Sequence, residues 1–151
     1  MCKCTRQPYP NLKFSLHDAN IVEIDFDYDQ SALILKPDSG FVDIENDKMV
    51  DGEIRIEGVS LDDSYVYIME YKNVLTGNIG SFVGEKMDLQ SFLSAFPTKF
   101  GSFDVMSEYD GYKSLLLTGF LSRGEDDLEA LIEIFYHGDF YYLLYPSGQV
   151  S

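Results

Sequence analysis

Residues 15–29 read SLHDANIVEIDFDYD and run straight into QSALILK, residues 30–36; the alternation in this stretch decides the fold class. From Ile21 to Asp29, Val22, Ile24, Phe26 and Tyr28 share one parity and Glu23, Asp25, Asp27 and Asp29 the other. Successive side chains on a strand point to opposite faces, so this is the pattern of an antiparallel strand with one face on a core and one in water. SALILK, Ser31 to Lys36, reads as its neighbour after a short Asp29-Gln30 turn, and Pro37-Asp38-Ser39-Gly40 breaks that second strand with turn residues.

The same texture continues outward. Phe41 to Ile44 and Glu53 to Val59 read as short strands around Asp51-Gly52, a pair favoured in tight hairpins, and SYVYIMEY, residues 64–71, places Tyr65, Tyr67 and Tyr71 on one face. Gly77, Gly80 and Gly84 then loosen the backbone. In MDLQSFLSAFP, Leu89, Phe92, Leu93 and Phe96 fall at i, i+3, i+4 and i+7, which predicts an amphipathic helix near 88–96 with Asp88 as N-cap and Pro97 as its stop. Phe103 to Glu108, a turn at Asp110-Gly111 and YKSLLLTGFLSR follow, with Gly119 suggesting a bulge or tight bend.

Residues 128–137 admit two readings. Leu128, Leu131, Ile132 and Phe135 fit a helix with Glu125, Asp126 and Asp127 near its N-terminus. The β-branched and aromatic content favours a strand from Ala130 to His137, paired through Gly138-Asp139 with Phe140 to Tyr145, and this is the preferred reading. The expected fold is mainly β (α+β), an antiparallel β-sandwich or half-open barrel with one short helix near 88–96.

Composition narrows the class. The 151 residues, 45% apolar and 15% aromatic, suffice for one globular domain without disulfide or metal staples. A flexible N-terminal arm over residues 1–10, ended by Pro8 and Pro10, is expected to precede a single domain over 11–151. With 26 acidic against 11 basic residues the formal charge is −15, which repels phosphate backbones and anionic membranes and steers basic proteins inward. The chain carries no apolar run of signal-peptide or membrane-span length, so a cytoplasmic location is expected, with no nucleic-acid and no membrane partner.

Motifs for chemistry are absent where they would be diagnostic. Cys2 and Cys4 form a C-x-C pair, but a closed zinc site would also need His17 and His137, which are far apart in sequence, so no metal is expected. The D-F-D-Y-D run opens like an EF-hand loop, yet the sixth position from Asp25 is Gln30 and the twelfth is Lys36; from Asp43 they are Lys48 and Ile54. His17-Asp18 resembles a general-base element, but neighbours on a strand point apart and no G-x-S-x-G surrounds any serine. The glycines of GNIGSFVG match neither the dinucleotide fingerprint nor the phosphate loop. No catalytic residue and no cofactor is therefore expected, and the protein reads as a non-enzyme.

Two features remain. The acidic ladder Glu23, Asp25, Asp27 and Asp29 has same-face neighbours about 7 Å apart, repelling by roughly 0.6 kcal/mol per pair in water, which a solvated face tolerates. The tyrosines Tyr65, Tyr67 and Tyr71, and nearer the C-terminus Tyr136, Tyr141, Tyr142 and Tyr145, offer large contact area with a polar tip.

The run LHDANIVEIDFDYDQSALIL, residues 16–35, resembles the opening of several families of small acidic bacterial proteins in which an L-H-D motif precedes a strand and a hairpin; some are immunity proteins of polymorphic toxin systems. The resemblance implies a cytosolic protein that neutralises a toxin by binding it, and the negative charge suits a basic nuclease toxin. Such families bind through unrelated surfaces, so no functional residue is carried over and His17 and Asp18 are expected to be structural. The first expectation is thus a binding protein whose Glu23, Asp25, Asp27, Asp29, Tyr65, Tyr67 and Tyr71 engage a basic protein. The alternative is a small-molecule-binding barrel or sandwich, and it requires the aromatic residues to line a concave pocket of roughly 300–1,000 Å³.

Overall fold

The strand read from Ile21 to Asp29 is β3 (Asn20–Asp27) in the computed structural model, which describes residues 1–72 and 79–146. Gly77 lies outside the described residues. Chain order before the helix is β1 (Cys2–Thr5), β2 (Phe14–Ser15), β3, β4 (Ala32–Asp38), β5 (Phe41–Asp43), β6 (Lys48–Val50), β7 (Gly52–Ile56), β8 (Tyr65–Tyr71) and β9 (Phe82–Asp88). The helix α1 (Leu89–Lys99) then leads to β10 (Phe103–Gly111), β11 (Ser114–Arg123), β12 (Asp126–Phe135) and β13 (Phe140–Leu144).

β3 pairs with β4 from Asp27↔Ala32 to Asn20↔Asp38. A bulge between Ile21 and Glu23 shifts the parity once, so Ile21 is buried and Val22 is turned to solvent, while Ile24 and Phe26 keep the inward face that alternation predicts. Tyr28 falls in the turn and is exposed.

Ten strands form one antiparallel sheet in the order β1-β13-β7-β4-β3-β10-β11-β12-β8-β9, and β2-β5-β6 form a small second sheet. The connection from β12 to β13 dictates the curvature. These strands are six steps apart in the sheet order, about 29 Å if it were flat at 4.8 Å per strand. Phe135 and Phe140 are joined by five peptide units, which reach at most about 18 Å. The sheet must therefore curl around its own concave face without closing, in keeping with the antiparallel sandwich or half-open barrel expected from the alternating strands. Bonds across the seam hold the curl: the Ser60 amide donates to the Phe135 carbonyl at 2.9 Å and the His137 amide to the Gly58 carbonyl at 3.1 Å.

The concave face and α1 share one core of Leu, Ile, Val and Phe side chains, including Phe14, Leu16, Ile21, Leu33, Ile54, Phe92, Phe103, Leu117 and Ile134. Asp88 caps α1 as expected, its Oδ1 accepting from the Ser91 amide at 2.7 Å, and Leu89, Phe92 and Phe96 are buried. Pro97 does not stop the helix. It sits in the last turn, where it removes one intrahelical bond only, and the helix runs to Lys99 before the Phe100 amide closes on the Phe96 carbonyl at 3.1 Å.

Several local expectations are corrected by pairings that lie far away in sequence. Asp51-Gly52 is no hairpin turn, because β6 belongs to the small sheet and β7 starts at Gly52 in the large one. The β10–β11 turn sits at Tyr112-Lys113 instead of Asp110-Gly111, with Gly111 paired to Ser114 and Lys113 in the left-handed region at φ 52°. The glycine-flanked stretch from Phe82 to Asp88 is strand β9. The ambiguous segment is strand as preferred, though β12 spans Asp126–Phe135 and stops short of His137; β12 pairs with β11 and β8, and β13 with β7 and β1, so the two form no hairpin. Gly138 explains the corner: its amide bonds the Glu57 carbonyl at 3.0 Å, and a Cβ there would crowd that same carbonyl. Residues 2–5, expected within a flexible arm, form the edge strand β1 on β13, from Cys2↔Leu144 to Thr5↔Tyr141.

Candidate protein-binding surface

Because β8 turns Val66 and Ile68 inward, Tyr65, Tyr67, Met69 and Tyr71 emerge on the convex face of the sheet. Strand register carries that face sideways. Tyr65, Tyr67 and Met69 lie opposite Glu133, Leu131 and Glu129 on β12, and these lie opposite Leu116, Thr118 and Phe120 on β11. On the other side Tyr65, Tyr67 and Tyr71 face Asp88, Lys86 and Phe82 of the edge strand β9. Most of these residues are half-buried, and Phe82, Lys86 and Asp88 on the edge strand are exposed.

The chemistry of this face is aromatic and acidic. The Lys86 ammonium lies 4.2 Å from the Tyr65 ring centroid and 5.2 Å from that of Tyr67, and Tyr71 and Phe82 sit 5.5 Å apart in a tilted pair. Burial together with the Glu129 carboxylate pushes the Tyr71 phenol above its ordinary pKa, so its hydroxyl stays a donor at neutral pH. Amphipathic rings held by their neighbours give contact area at low entropy cost, and Glu129 and Glu133 add two carboxylates on one strand face.

The acidic ladder is elsewhere. Four strand steps, about 19 Å along the sheet, separate β3 from β8, so the two sets of predicted residues do not form one site. Lys36 of β4 reaches across to Glu23 at 3.4 Å and Asp25 at 3.1 Å, and these carboxylates in turn raise the Lys36 pKa. Asp27 accepts from the Asp29 amide at 3.0 Å and fixes the turn, while Asp29 is exposed. Asp43 likewise spends its oxygens on Asn46, at 3.2 and 2.8 Å.

His17 and Asp18 serve the backbone. The bulge in β10 falls between Val105 and Ser107, beside Gly119 on β11 as the glycine suggested, and there a Cβ would collide with the Asp104 carbonyl. The His17 Nδ1 lies 2.7 Å from the Met106 carbonyl oxygen, which requires the proton on Nδ1, and the Asp18 amide donates to the Val105 carbonyl at 2.8 Å. His17 Nε2 stands 3.7 Å from Asp18, too far for a hydrogen bond.

Sequence reasoning missed the Arg6 cluster. Just beyond β1, Arg6 turns inward over the Phe140 ring at 4.7 Å. Its Nε and Nη2 donate to the two oxygens of Asp110 at 3.2 and 2.9 Å, and Nη1 donates to Glu108 at 3.1 Å and to the Tyr142 hydroxyl at 2.7 Å. Burial opposes the charge on Arg6, but Tyr142, Asp110 and Glu108 outweigh it and hold the pKa above its ordinary value. Beside the cluster opens a recess of about 360 Å³ walled by Thr5, Pro8, Asp110, Tyr136, Asp139 and Phe140.

The apolar core is tightly filled where the helix meets the sheet. Its apolar void, lined by Ile21, Leu33, Phe92, Phe103 and Ile132 among others, measures about 10 Å³, far below a ligand site. The buried aromatics Phe14, Phe41 and Tyr142 fill one another's space with centroids 5.0 to 5.4 Å apart. Cys2 and Cys4 are free thiols with sulfurs 3.9 Å apart, and no group of three or more metal-ligating side chains occurs among the described residues. No helix among the described residues is long and apolar enough to cross a membrane.

No family model, no curated protein and no solved structure matches the chain.

Proposed function

We propose that this protein is a non-enzymatic acidic binding protein that engages a basic protein through the convex face of β9, β8, β12 and β11, in the manner of an immunity protein masking a toxin. One observation carries the reading: Tyr65, Tyr67 and Tyr71 lie outside, on the same sheet face as Glu129 and Glu133, instead of around an internal cavity. The tyrosines supply the anchoring contacts and the two glutamates the complement to a basic surface. Glu23, Asp25, Asp27 and Asp29 add long-range steering within the overall charge of −15, since Lys36 already engages Glu23 and Asp25. The resemblance of residues 16–35 to immunity-type families supports the same class of partner.

The test is capture on the immobilised protein from lysate of the source organism at low and high salt, with binders identified by mass spectrometry. A single basic protein should be retained stoichiometrically and released as salt screens the contact. Tyr67→Ala and the pair Glu129→Gln/Glu133→Gln should each reduce its retention, with Lys36→Met leaving it in place. Retention of that protein undiminished by the Tyr67 and glutamate changes would refute the assignment of the face.

A further inference from the structure

We infer that the recess beside Arg6 receives a cationic side chain, an arginine or a lysine, of the basic partner; this deepens the binding reading above and rests on it. The argument starts from charge. Arg6, Glu108 and Asp110 have side-chain exposures of 3, 7 and 18%, so one cation meets two carboxylates in a nearly dry cluster. Backbone donors take part of the excess, with the Leu16 amide on Glu108 at 3.0 Å and the Tyr9 amide on Asp110 at 3.4 Å, but they bring no charge. Asp139 adds a third carboxylate at the recess and forms no ion pair among the described residues. Asp110 and Asp139 against the Arg6 guanidinium leave the walls one charge negative, and Glu108, bound to Arg6 behind them, adds a second.

The walls also have the right shape. Tyr136 and Phe140 are aromatic, and Arg6 already demonstrates their preference by lying over the Phe140 ring while forking onto Asp110. A second cation entering from solvent finds the same combination of ring face and carboxylate, with Asp139 in place of Glu108. At about 360 Å³ the recess admits one long side chain and excludes a folded element. Three elements meet at its rim, namely the segment after β1, the β10–β11 hairpin and the β12–β13 corner, and Tyr112 at the tip of that hairpin is left exposed beside it. Glu133, paired with Leu116 on the convex face, is three residues from Tyr136 at the rim, about 10 Å along an extended chain, which brings a partner seated there to the mouth of the recess.

The experiment is an amide chemical-shift titration of the full-length protein with the capped tripeptide acetyl-Gly-Arg-Gly-amide and with its citrulline counterpart, which keeps the shape and loses the charge. The arginine peptide should shift Gly111, Gly138 and Asp139 saturably, about tenfold more tightly than the citrulline peptide, the size of one charged hydrogen bond. Asp139→Asn, an exposed change that keeps the backbone contact to Glu57, should weaken it about fivefold, and Glu23→Gln should leave it unchanged. Three results overturn the proposal: equal affinity for the two peptides, shifts centred on β3 instead of the recess, or no saturable shift at about 50 mM peptide, beyond the millimolar range of weak single-site binding. If the recess fails while captured partner is still lost with Glu129→Gln/Glu133→Gln, the convex-face reading stands and only the anchoring cation falls.

Discussion

Replacing Arg6 by alanine tests whether the N-terminal segment belongs to the fold. The guanidinium makes four hydrogen bonds, two to Asp110 and one each to Glu108 and Tyr142. Its removal leaves two carboxylates in a nearly dry site without their cation, the situation in which breaking a buried pair costs about 3–5 kcal/mol. Because Asp110 keeps some solvent, the lower end applies, about 3 kcal/mol, and a chain of this size should melt roughly 6–12 °C lower. Urea unfolding followed by circular dichroism reads the first quantity and a thermal scan the second. The companion variant Arg6→Ala/Glu108→Gln removes one orphaned charge together with the cation and should recover a substantial part of the loss, a non-additivity that only residues in contact display. The stability Arg6 contributes is fully present below its unfolded-state pKa, and its folded pKa is raised further, so the wild-type contribution should be flat between about pH 6 and 9. A loss below about 1 kcal/mol, the value of an exposed ion pair, would refute the reasoning and return residues 1–10 to a loose arm.

Three further outcomes follow from the geometry. Asp88→Ala should lower the melting temperature by removing the cap on Ser91; because that bond depresses the Asp88 pKa, its contribution is present above the unfolded value and lost as pH falls through the folded one, so the wild-type and variant scans should converge in strong acid. Gly119→Ala should drive β10 and β11 apart at the Asp104 carbonyl, with an unfolding midpoint in urea well below that of Gly124→Ala, where a Cβ meets nothing and only the positive φ is strained. Phe92→Ala should cost about 3–5 kcal/mol in urea unfolding, since the ring is fully buried under the helix and the void beside it is too small to have relaxed into.

Why some of this was legible in sequence and some not follows from the range of the interactions involved. Strand β3, the helix with its Asp88 cap, and the outward Tyr65, Tyr67 and Tyr71 rest on parity or on a contact three residues away, both of which a linear reading carries. The turns were misplaced where a distant strand decided: Gly138-Asp139 looked like a hairpin until Glu57, far upstream, bonded both residues of the corner. Val22 shows the same on a smaller scale, since a bulge moves one residue out of phase without any change in composition that would announce it. The Arg6 cluster is the extreme case. Its partners lie 102 to 136 residues away, and a single arginine between Thr5 and Gln7 is indistinguishable in sequence from one on a solvated tail.

The contrast between Arg6 and Lys36 shows how strand pairing assigns roles that residue types do not. Both are cations set between two carboxylates, Lys36 with Glu23 and Asp25, Arg6 with Glu108 and Asp110. Lys36 and its partners are 36 to 57% exposed, so water screens the trio and the ladder contributes field more than stability. Arg6 is nearly dry, and the same arithmetic of one cation against two anions becomes a local charge imbalance that the protein alone does not neutralise. The most conspicuous acids of the chain therefore sit where a basic partner would gain least from them in direct contact. The Glu108 and Asp110 side chains sit where low exposure magnifies each charge, beside the exposed Asp139, and a basic partner would gain most there.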